Sequence, residues 1–123
     1  MKTDRQKIGA LGEELACRWL VSESYSIVGR NIQNKVGEID IVARHNKYPN
    51  KLFFIEVKTI ANGSRFHPLD NMTQAKLHKL HKTIITYLDQ EKTSLESWQL
   101  DALLIRYDPK DKTARIEHHS NLY

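Results

Sequence analysis

Two neighbouring segments rich in Val, Ile and Phe carry carboxylates inside otherwise apolar runs. Acidic and apolar residues alternate along residues 37–43, which is typical of a β-strand. Its two faces would carry Ile39, Ile41 and Ala43 on one side and Glu38, Asp40 and Val42 on the other. Along residues 53–58 the same rule groups Glu56 with Lys58, and both faces stay largely apolar, as in a strand inside a sheet. The short polar stretch between the segments predicts an antiparallel hairpin.

The register of this hairpin follows if its loop covers residues 45–51. The opposed pairs would then be Arg44 with Leu52, Asp40 with Glu56, and Glu38 with Lys58. Side chains directly opposed in an antiparallel pair have Cβ atoms about 4.5–5.5 Å apart, where like charges destabilise the sheet. The sequence therefore predicts two carboxylates in need of a compensating charge.

Two interpretations fit these carboxylates. In the first, Asp40 and Glu56 bind Mg²⁺, which prefers oxygen ligands and commonly takes one or two carboxylates. Lys58 would then place a cation two residues from a metal ligand, an arrangement suited to phosphodiester hydrolysis. In the second, Asp40, Glu56 and Lys58 form an ordinary charge network on a solvated sheet face. Spacing alone leaves both open.

The remaining elements follow from periodicity. Apolar residues at three- and four-residue steps predict amphipathic helices over residues 5–21 and 71–88. Strand-like composition marks residues 25–32, 37–44, 52–59, 98–107 and 113–118. The order α-β-β-β-α-β-β predicts an α/β sandwich, with helices covering a mixed sheet. The length of 123 residues suits one domain over residues 1–123.

Composition and charge exclude several classes of protein. No apolar stretch approaches the ~20 residues that span a bilayer, and no apolar signal core is present, so we expect a cytoplasmic protein without membrane association. Cys17 is the only cysteine, which excludes an internal disulfide and a multi-cysteine zinc site. A net charge of +4 is compatible with a polyanionic partner but does not require one.

Further motifs accompany the strand pair. They are Gly12-Glu13-x-x-Ala16, Arg30-Asn31, Gly37-Glu38-Ile39-Asp40-Ile41-Val42, Phe54-Ile55-Glu56-Val57-Lys58, Thr73-x-x-Lys76-x-x-Lys79-Leu80 and Leu100-Asp101. With them the chain resembles the YraN-like family of small bacterial proteins over nearly its whole length. That family is placed in the restriction-endonuclease-like superfamily, whose pattern is PD-(D/E)xK, and is similar to archaeal-type Holliday junction resolvases. The resemblance implies a restriction-endonuclease-like three-layer sandwich and a metal-dependent nuclease.

The resemblance also implies roles for individual residues. Asp40 matches the aspartate of the pattern, Glu56 its second acid and Lys58 its lysine, while Glu13 matches an acidic residue that resolvase-like members carry on their first helix. Glu13, Asp40 and Glu56 would bind Mg²⁺ or Mn²⁺, and Lys58 would complete the catalytic set. Ile39 stands where the pattern has proline, a departure that removes no metal ligand.

Other departures concern contacts with phosphate. Thr59-Ile60 replaces a basic residue of the family, and Gln99 replaces an arginine. Arg65 could supply one of the missing contacts. The second helix carries Lys76, Lys79 and Lys82, whose charges would form either a phosphate-binding surface or an ordinary solvated face.

Three functions remain open on the sequence. The first is a nuclease acting on structured or branched nucleic acid, with DNA as the expected substrate. The second is a non-catalytic nucleic-acid-binding or scaffolding module of the same fold. The third is a protein-interaction domain that uses an edge strand, for example in a homodimer.

Histidines and aromatic residues suggest no additional site. His78 and His81 lie on one side of a helix, but no third zinc ligand can be named. Tyr25, Tyr48, Phe66 and Tyr107 are scattered along the chain and predict no base-stacking platform. Trp19 and Trp98 lie on apolar patterns and are expected in the core.

Overall fold

The computed structural model describes residues 3–61, 72–91 and 97–122. Its elements are α1 (Asp4–Ser22), β1 (Tyr25–Gln33), β2 (Glu38–His45), β3 (Tyr48–Ala61), α2 (Gln74–Glu91), β4 (Ser97–Asp108) and β5 (Thr113–His119). The predicted order α-β-β-β-α-β-β is confirmed. Neither described helix is long and apolar enough to cross a membrane.

Helix α1 begins one residue earlier than predicted because Thr3 caps it. The backbone N–H of Gln6 donates to the Thr3 hydroxyl at 3.1 Å, and the Thr3 N–H donates to the Gln6 side chain at 2.9 Å. This reciprocal capping box satisfies donors that the first turn leaves without partners. Ala16 and Leu20, on the inward face of α1, are fully buried.

The five strands form one sheet in the order β1-β2-β3-β4-β5. Neighbours are antiparallel except β3 and β4, which are parallel. Parallel strands need a crossover connection, and α2 lies in the segment that joins β3 to β4. The predicted mixed sheet is therefore confirmed.

Each helix covers one face of the sheet. The core on the α1 side consists of Ala16, Cys17, Leu20, Ile41, Ala43, Phe53, Ile55, Leu103 and Ile105. The core on the α2 side consists of Ile39, Val42, Leu52, Phe54, Ile84, Tyr87 and Leu100. Trp19 packs against the first core and Trp98 against the second, as predicted. The sheet is thus the middle layer of three.

The hairpin of β2 and β3 has the predicted register near the site. Its Cα partners include Ile41 with Ile55, Val42 with Phe54, and Ala43 with Phe53. The predicted loop over residues 45–51 is wrong, because β2 continues to His45 and β3 begins at Tyr48. An irregularity before His45, which pairs with Tyr48, replaces the expected pairing of Arg44 with Leu52. Pro49 is tolerated because it lies near the start of its strand.

Alternation along β2 fails at one point. Ile41 belongs to the core on the α1 side, as expected, but Ile39 packs with Val42 in the core on the α2 side. Between them, the Asp40 carboxylate accepts the backbone N–H of Val57 at 2.7 Å. The Asp40 side chain thus accepts a backbone hydrogen bond from β3. Regular alternation of the two faces ends at Asp40.

The turn between β1 and β2 is tied to α2. The Asn34 side-chain amide donates to the Thr83 carbonyl at 3.1 Å, and the Asn34 N–H donates to the Gly37 carbonyl at 3.0 Å. A Cβ at Gly37 would lie 2.8 Å from the Thr83 hydroxyl. Gly37 therefore allows α2 to approach the start of β2, where the acidic residues lie.

Candidate functional site

The carboxylates of Asp40 and Glu56 meet where regular pairing of β2 with β3 ends. The last Cα partners at this end are Ile41 and Ile55. One residue farther on, a side-chain hydrogen bond joins Glu56 to Asp40. Two carboxyl groups can form such a bond only when one of them is protonated. The opposition predicted from the sequence is therefore present, and we expect the pair to hold one shared proton between its two carboxyl groups.

Burial and neighbouring charges determine which group holds this proton. Burial raises the pKa of Glu56 to about 10, and the hydrogen bond to Asp40 and the negative charges of Asp40 and Glu38 act in the same direction. The positive charge of Lys76 opposes them. We therefore expect Glu56 to be protonated at neutral pH in the metal-free protein, so that two negative charges do not meet.

Two cavities border this carboxylate pair. One, of about 450 Å³, extends toward α2 and is lined there by Lys76 and Lys79. The other, of about 480 Å³, extends toward α1 and is lined there by Glu13. Asp40 and Lys58 line both cavities. A bound molecule could therefore reach Asp40 and Lys58 from either side, and Glu56 from the side of α2.

A close helix–strand contact brings Glu13 to the second cavity. A Cβ at Gly12 would lie 1.8 Å from the Thr59 hydroxyl and 2.9 Å from the Thr59 Cβ, so a larger residue would push α1 away from β3. Burial raises the pKa of Glu13, and the charge of Asp40 adds to this effect. The glycine of the Gly-Glu motif thus places the following carboxyl group near the strand pair.

Asn31 holds Glu13 from the edge strand β1. Its backbone is in the left-handed region, with φ 51°. A side-chain hydrogen bond from Asn31 lowers the pKa of Glu13 and partly offsets the effect of burial. The preceding residue, Arg30, donates to the Glu14 carboxylate at 3.1 Å. Sequence reasoning assigned no role to Arg30-Asn31, although the pair belongs to the motifs that carried the family resemblance.

The structure brings most of the predicted site residues to one region. Asp40, Glu56 and Lys58 line the cavity toward α2, and Glu13 lines the other cavity together with Asp40 and Lys58. Two of the predicted phosphate-binding lysines, Lys76 and Lys79, line the cavity toward α2. Lys82 is exposed on α2, and Arg65 lies outside the described residues.

The metal-binding set is less compact than the resemblance implies. Among residues 3–61, 72–91 and 97–122, no three His, Cys, Asp or Glu side chains are grouped closely enough to hold a metal ion. The carboxyl groups of Asp40 and Glu56 contact each other and would supply two oxygen ligands. Carboxylate oxygens that repel one another suit a divalent cation such as Mg²⁺ or Mn²⁺, which would replace the shared proton.

Asp101 matches the family motif but plays a structural role. It is fully buried on β4 and accepts hydrogen bonds from the Gln99 side chain at 2.8 Å and the Asn121 N–H at 3.0 Å. Its other oxygen lies 2.8 Å from Nε2 of His118. These contacts fasten β5 and the segment after it to β4.

The expectation that the aromatic residues are scattered is wrong in one place. Tyr25 and Tyr48 meet around His45 and Phe53 at the turn end of the β2–β3 hairpin. Tyr107 lies on β4, and Phe66 lies outside the described residues. This cluster depends on residues distant in sequence, so local spacing gave no signal of it.

Comparison with known proteins gives consistent matches. The model of the uncharacterised protein family UPF0102 matches residues 12–108. A UPF0102 protein of Alkaliphilus oremlandii (strain OhILAs) is 30% identical over 118 residues, covering 96% of this chain and 98% of the relative. One from Campylobacter lari (strain RM2100 / D67 / ATCC BAA-1060) is 38% identical over 109 residues, covering 88% and 91%. The matched range contains Glu13, Asp40, Glu56 and Lys58, and the chain belongs to the UPF0102 family, whose members are YraN-like.

Proposed function

We propose that this chain is a metal-dependent nuclease that hydrolyses phosphodiester bonds of structured or branched nucleic acid, with DNA as its substrate. The observation that carries the proposal is the contact between Asp40 and Glu56, beside Lys58 and between two cavities. The mixed sheet with a helix on each face suits the restriction-endonuclease-like fold that the resemblance implies.

Asp40 and Glu56 would hold Mg²⁺ or Mn²⁺, and Glu13 would act from the α1 side, directly or through water. When bound, the cation supplies positive charge that favours formation of the attacking hydroxide and offsets charge on the phosphate. The hydrogen bond from the Val57 N–H fixes the orientation of Asp40. From β1, Asn31 lowers the pKa of Glu13 and so favours the charged form that a cation would bind.

The lysines would handle the substrate. Because Lys58 lines both cavities, its ammonium can contact a phosphate lying across the carboxylate pair and stabilise charge that develops there. Lys76 and Lys79 line the cavity toward α2 and would contact flanking phosphates. Lys82 would add a contact from the exposed surface of α2, and Arg65, outside the described residues, stays a predicted phosphate contact.

A cleavage screen tests the proposal. Duplex, flap, single-stranded and four-way DNA would be incubated with Mg²⁺ or Mn²⁺ and the wild type, Asp40→Ala, Glu56→Ala or the control Asp111→Ala, an exposed turn residue. We expect each site variant to lose at least about a hundredfold in rate, as for removal of a major transition-state interaction. Undiminished metal-dependent cleavage by either site variant would overturn the assignment.

The contribution of the lysines can be measured separately. Replacing Lys76 and Lys79 together should weaken DNA binding across all sequences and reduce the salt slope by about one for each phosphate that the variant no longer neutralises. Lys82→Ala, on the same helix, measures how much a lysine outside the cavity lining contributes to DNA affinity, for comparison with Lys76 and Lys79. An unchanged affinity and salt slope in the double variant would exclude Lys76 and Lys79 from the interface.

A second candidate is a non-catalytic nucleic-acid-binding module. The lack of a third grouped ligand among the described residues favours it, as does Thr59-Ile60 in place of a basic residue. Calorimetric titration with Mn²⁺ separates the two functions. A binding module would show salt-dependent DNA affinity without metal binding at Asp40 and Glu56.

A further inference from the structure

Aromatic rings and a cation converge at the turn end of the β2–β3 hairpin, in a tip cluster formed by Tyr25, His45, Tyr48, Lys51 and Phe53. Ring centroids lie 4.6 Å apart for Tyr25 and His45, 5.5 Å for His45 and Tyr48, and 6.1 Å for Tyr48 and Phe53. The Lys51 ammonium lies 5.8 Å from the Tyr48 ring centre and 5.5 Å from that of Phe53. The cluster thus joins π-surfaces with a positive charge.

Tyr48 is the exposed member of the tip cluster. It retains 53% of its accessible surface, whereas Phe53 retains 3%. The Tyr48 ring is tilted by 47° to His45 and 54° to Phe53, so neither of these rings stacks flat on it. A hollow of about 260 Å³ lies beside it, between the start of β3 and the start of β4. An additional flat ring could therefore reach Tyr48.

Hydrogen bonds hold this surface in place. Nδ1 of His45 accepts the Lys47 N–H at 3.1 Å, so the ring hydrogen of the neutral form is on Nε2, which donates to the Glu23 carbonyl at 3.0 Å. Arg44 donates to the Pro49 carbonyl at 3.3 Å. The bond between His45 and Glu23 joins the hairpin to the end of α1, and the bond between Arg44 and Pro49 fixes the start of β3. A surface ordered beforehand loses little entropy on binding.

The local charge selects among partners. Lys51 lies over the Tyr48 ring, Lys47 precedes Tyr48 in the chain, and Arg44 donates to the Pro49 carbonyl beside it. A nucleotide with an unpaired base offers a π-face for the ring and a phosphate for the lysines. Bases inside a duplex already stack on their neighbours, so they expose only their edges and offer no face to the Tyr48 ring. The combination of an open ring with the Lys51 ammonium beside it therefore favours a single strand.

We propose that the tip cluster is a second nucleic-acid site, in which an unpaired base stacks on Tyr48 and Lys51 contacts a flanking phosphate. This site goes beyond the proposed nuclease centre. Tyr48 and Glu56 are eight positions apart on β3, or about 26 Å at roughly 3.3 Å per residue. Binding at the tip therefore requires neither metal nor the carboxylate pair.

Fluorescence anisotropy with labelled oligothymidylate in EDTA tests the site. Tyr48→Ala should weaken binding about tenfold, the usual effect of losing one stacked base. Tyr48→Phe should bind like the wild type, because stacking uses the ring and not the hydroxyl. Lys51→Ala should weaken binding more than Lys110→Ala, a control that removes an exposed lysine from the β4–β5 turn.

A matched oligonucleotide without bases separates stacking from charge and needs no protein variant. The wild type should bind it more weakly than oligothymidylate, and Tyr48→Ala should bind both alike. Oligouridylate in a parallel arm shows whether the base of DNA or of RNA is preferred. Equal binding of the abasic strand by the wild type, unchanged binding by Tyr48→Ala, or no oligothymidylate binding by the wild type would each overturn the proposal.

The outcome is independent of the nuclease assignment. The same titrations with Glu56→Ala should give wild-type affinity, because the carboxylate pair is remote from the tip cluster. A loss of cleavage in that variant with intact oligothymidylate binding would support both proposals. Metal-dependent cleavage without base-dependent binding would support the nuclease alone.

Discussion

The two ends of the β2–β3 hairpin are organised by opposite electrostatics. At one end, Asp40 and Glu56 are in contact, and burial with like charge keeps Glu56 protonated. At the turn end, Lys51 lies over aromatic rings, and both nitrogens of His45 are paired with backbone groups. The first arrangement costs stability unless a cation joins it, whereas the second stabilises the hairpin by itself. The destabilised end is therefore the stronger indication of a ligand.

The largest expected effect is on the pH dependence of stability at the carboxylate end. The pKa of Glu56 rises from 4.5 to about 10 on folding. Between these values the folded state binds a proton that the unfolded state has lost, so stability of the metal-free protein should fall as pH rises. Glu56→Gln keeps a donor toward Asp40 and removes this dependence. In urea unfolding with EDTA from pH 5 to 9, the unfolding free energy of the variant should rise relative to that of the wild type as pH rises.

Glu117→Gln is the matched control for this comparison. A hydrogen bond from Arg106 lowers the pKa of Glu117, so its contribution is present above the unfolded pKa and lost as pH falls. Because this contribution is complete above the ordinary pKa of 4.5, the variant should trail the wild type by a constant amount from pH 5 to 9, unlike Glu56→Gln. A constant stability difference between wild type and Glu56→Gln across this range would contradict the shared proton.

The carboxylate end could be predicted because its determinants are local. Alternation predicted the face of Asp40. Because only a short turn separates β2 from β3, the register of the hairpin also predicted that Asp40 lies opposite Glu56. Helix periodicity gave α1 and α2. The predicted bounds of the turn were wrong because Pro49 and Asn50 are typical of loops, yet here they belong to β3.

Other features depend on contacts between residues distant in sequence. The left-handed backbone at Asn31 and its bond to Glu13 join β1 to α1. The tip cluster joins Tyr25 to a hairpin about twenty residues away, as judged from the pairing of β1 with β2. Ile39 packs on the α2 side of the sheet next to the point where Asp40 accepts a backbone N–H of β3. Neither composition nor periodicity carries such information.

Gly12→Ala should produce the next largest effect. The added Cβ would overlap the Thr59 side chain, and overpacking of this kind costs about 1–3 kcal/mol of unfolding free energy. Gly9→Ala is the control on the same helix, because its Cβ would meet nothing within 4 Å. That variant should gain up to about 1 kcal/mol from helix propensity. Equal effects of both substitutions in urea unfolding would refute the close approach.

Asn31→Gly separates positioning from stability. Glycine adopts the left-handed conformation without strain, so we expect the unfolding free energy to change by less than about 1 kcal/mol. The pKa of Glu13 should rise further, because the variant lacks the hydrogen bond that lowers it. An NMR titration of the Glu13 carboxyl group measures this. An unchanged pKa would show that Asn31 does not act on Glu13.

An effect on stability smaller than that of Gly12→Ala is expected at the turn end, from His45→Phe. The substitution keeps a ring between Tyr25 and Tyr48 but removes the bonds to the Glu23 carbonyl and the Lys47 N–H. Both partners belong to exposed residues, so water can replace these bonds, and the cost should be about 0.5–1.5 kcal/mol. If those bonds hold Tyr48 ready for a base, affinity for oligothymidylate should fall severalfold while the melting temperature changes little. A parallel loss of both would instead indicate that the bonds only stabilise the hairpin, and the contrast between its ends would then be one of charge alone.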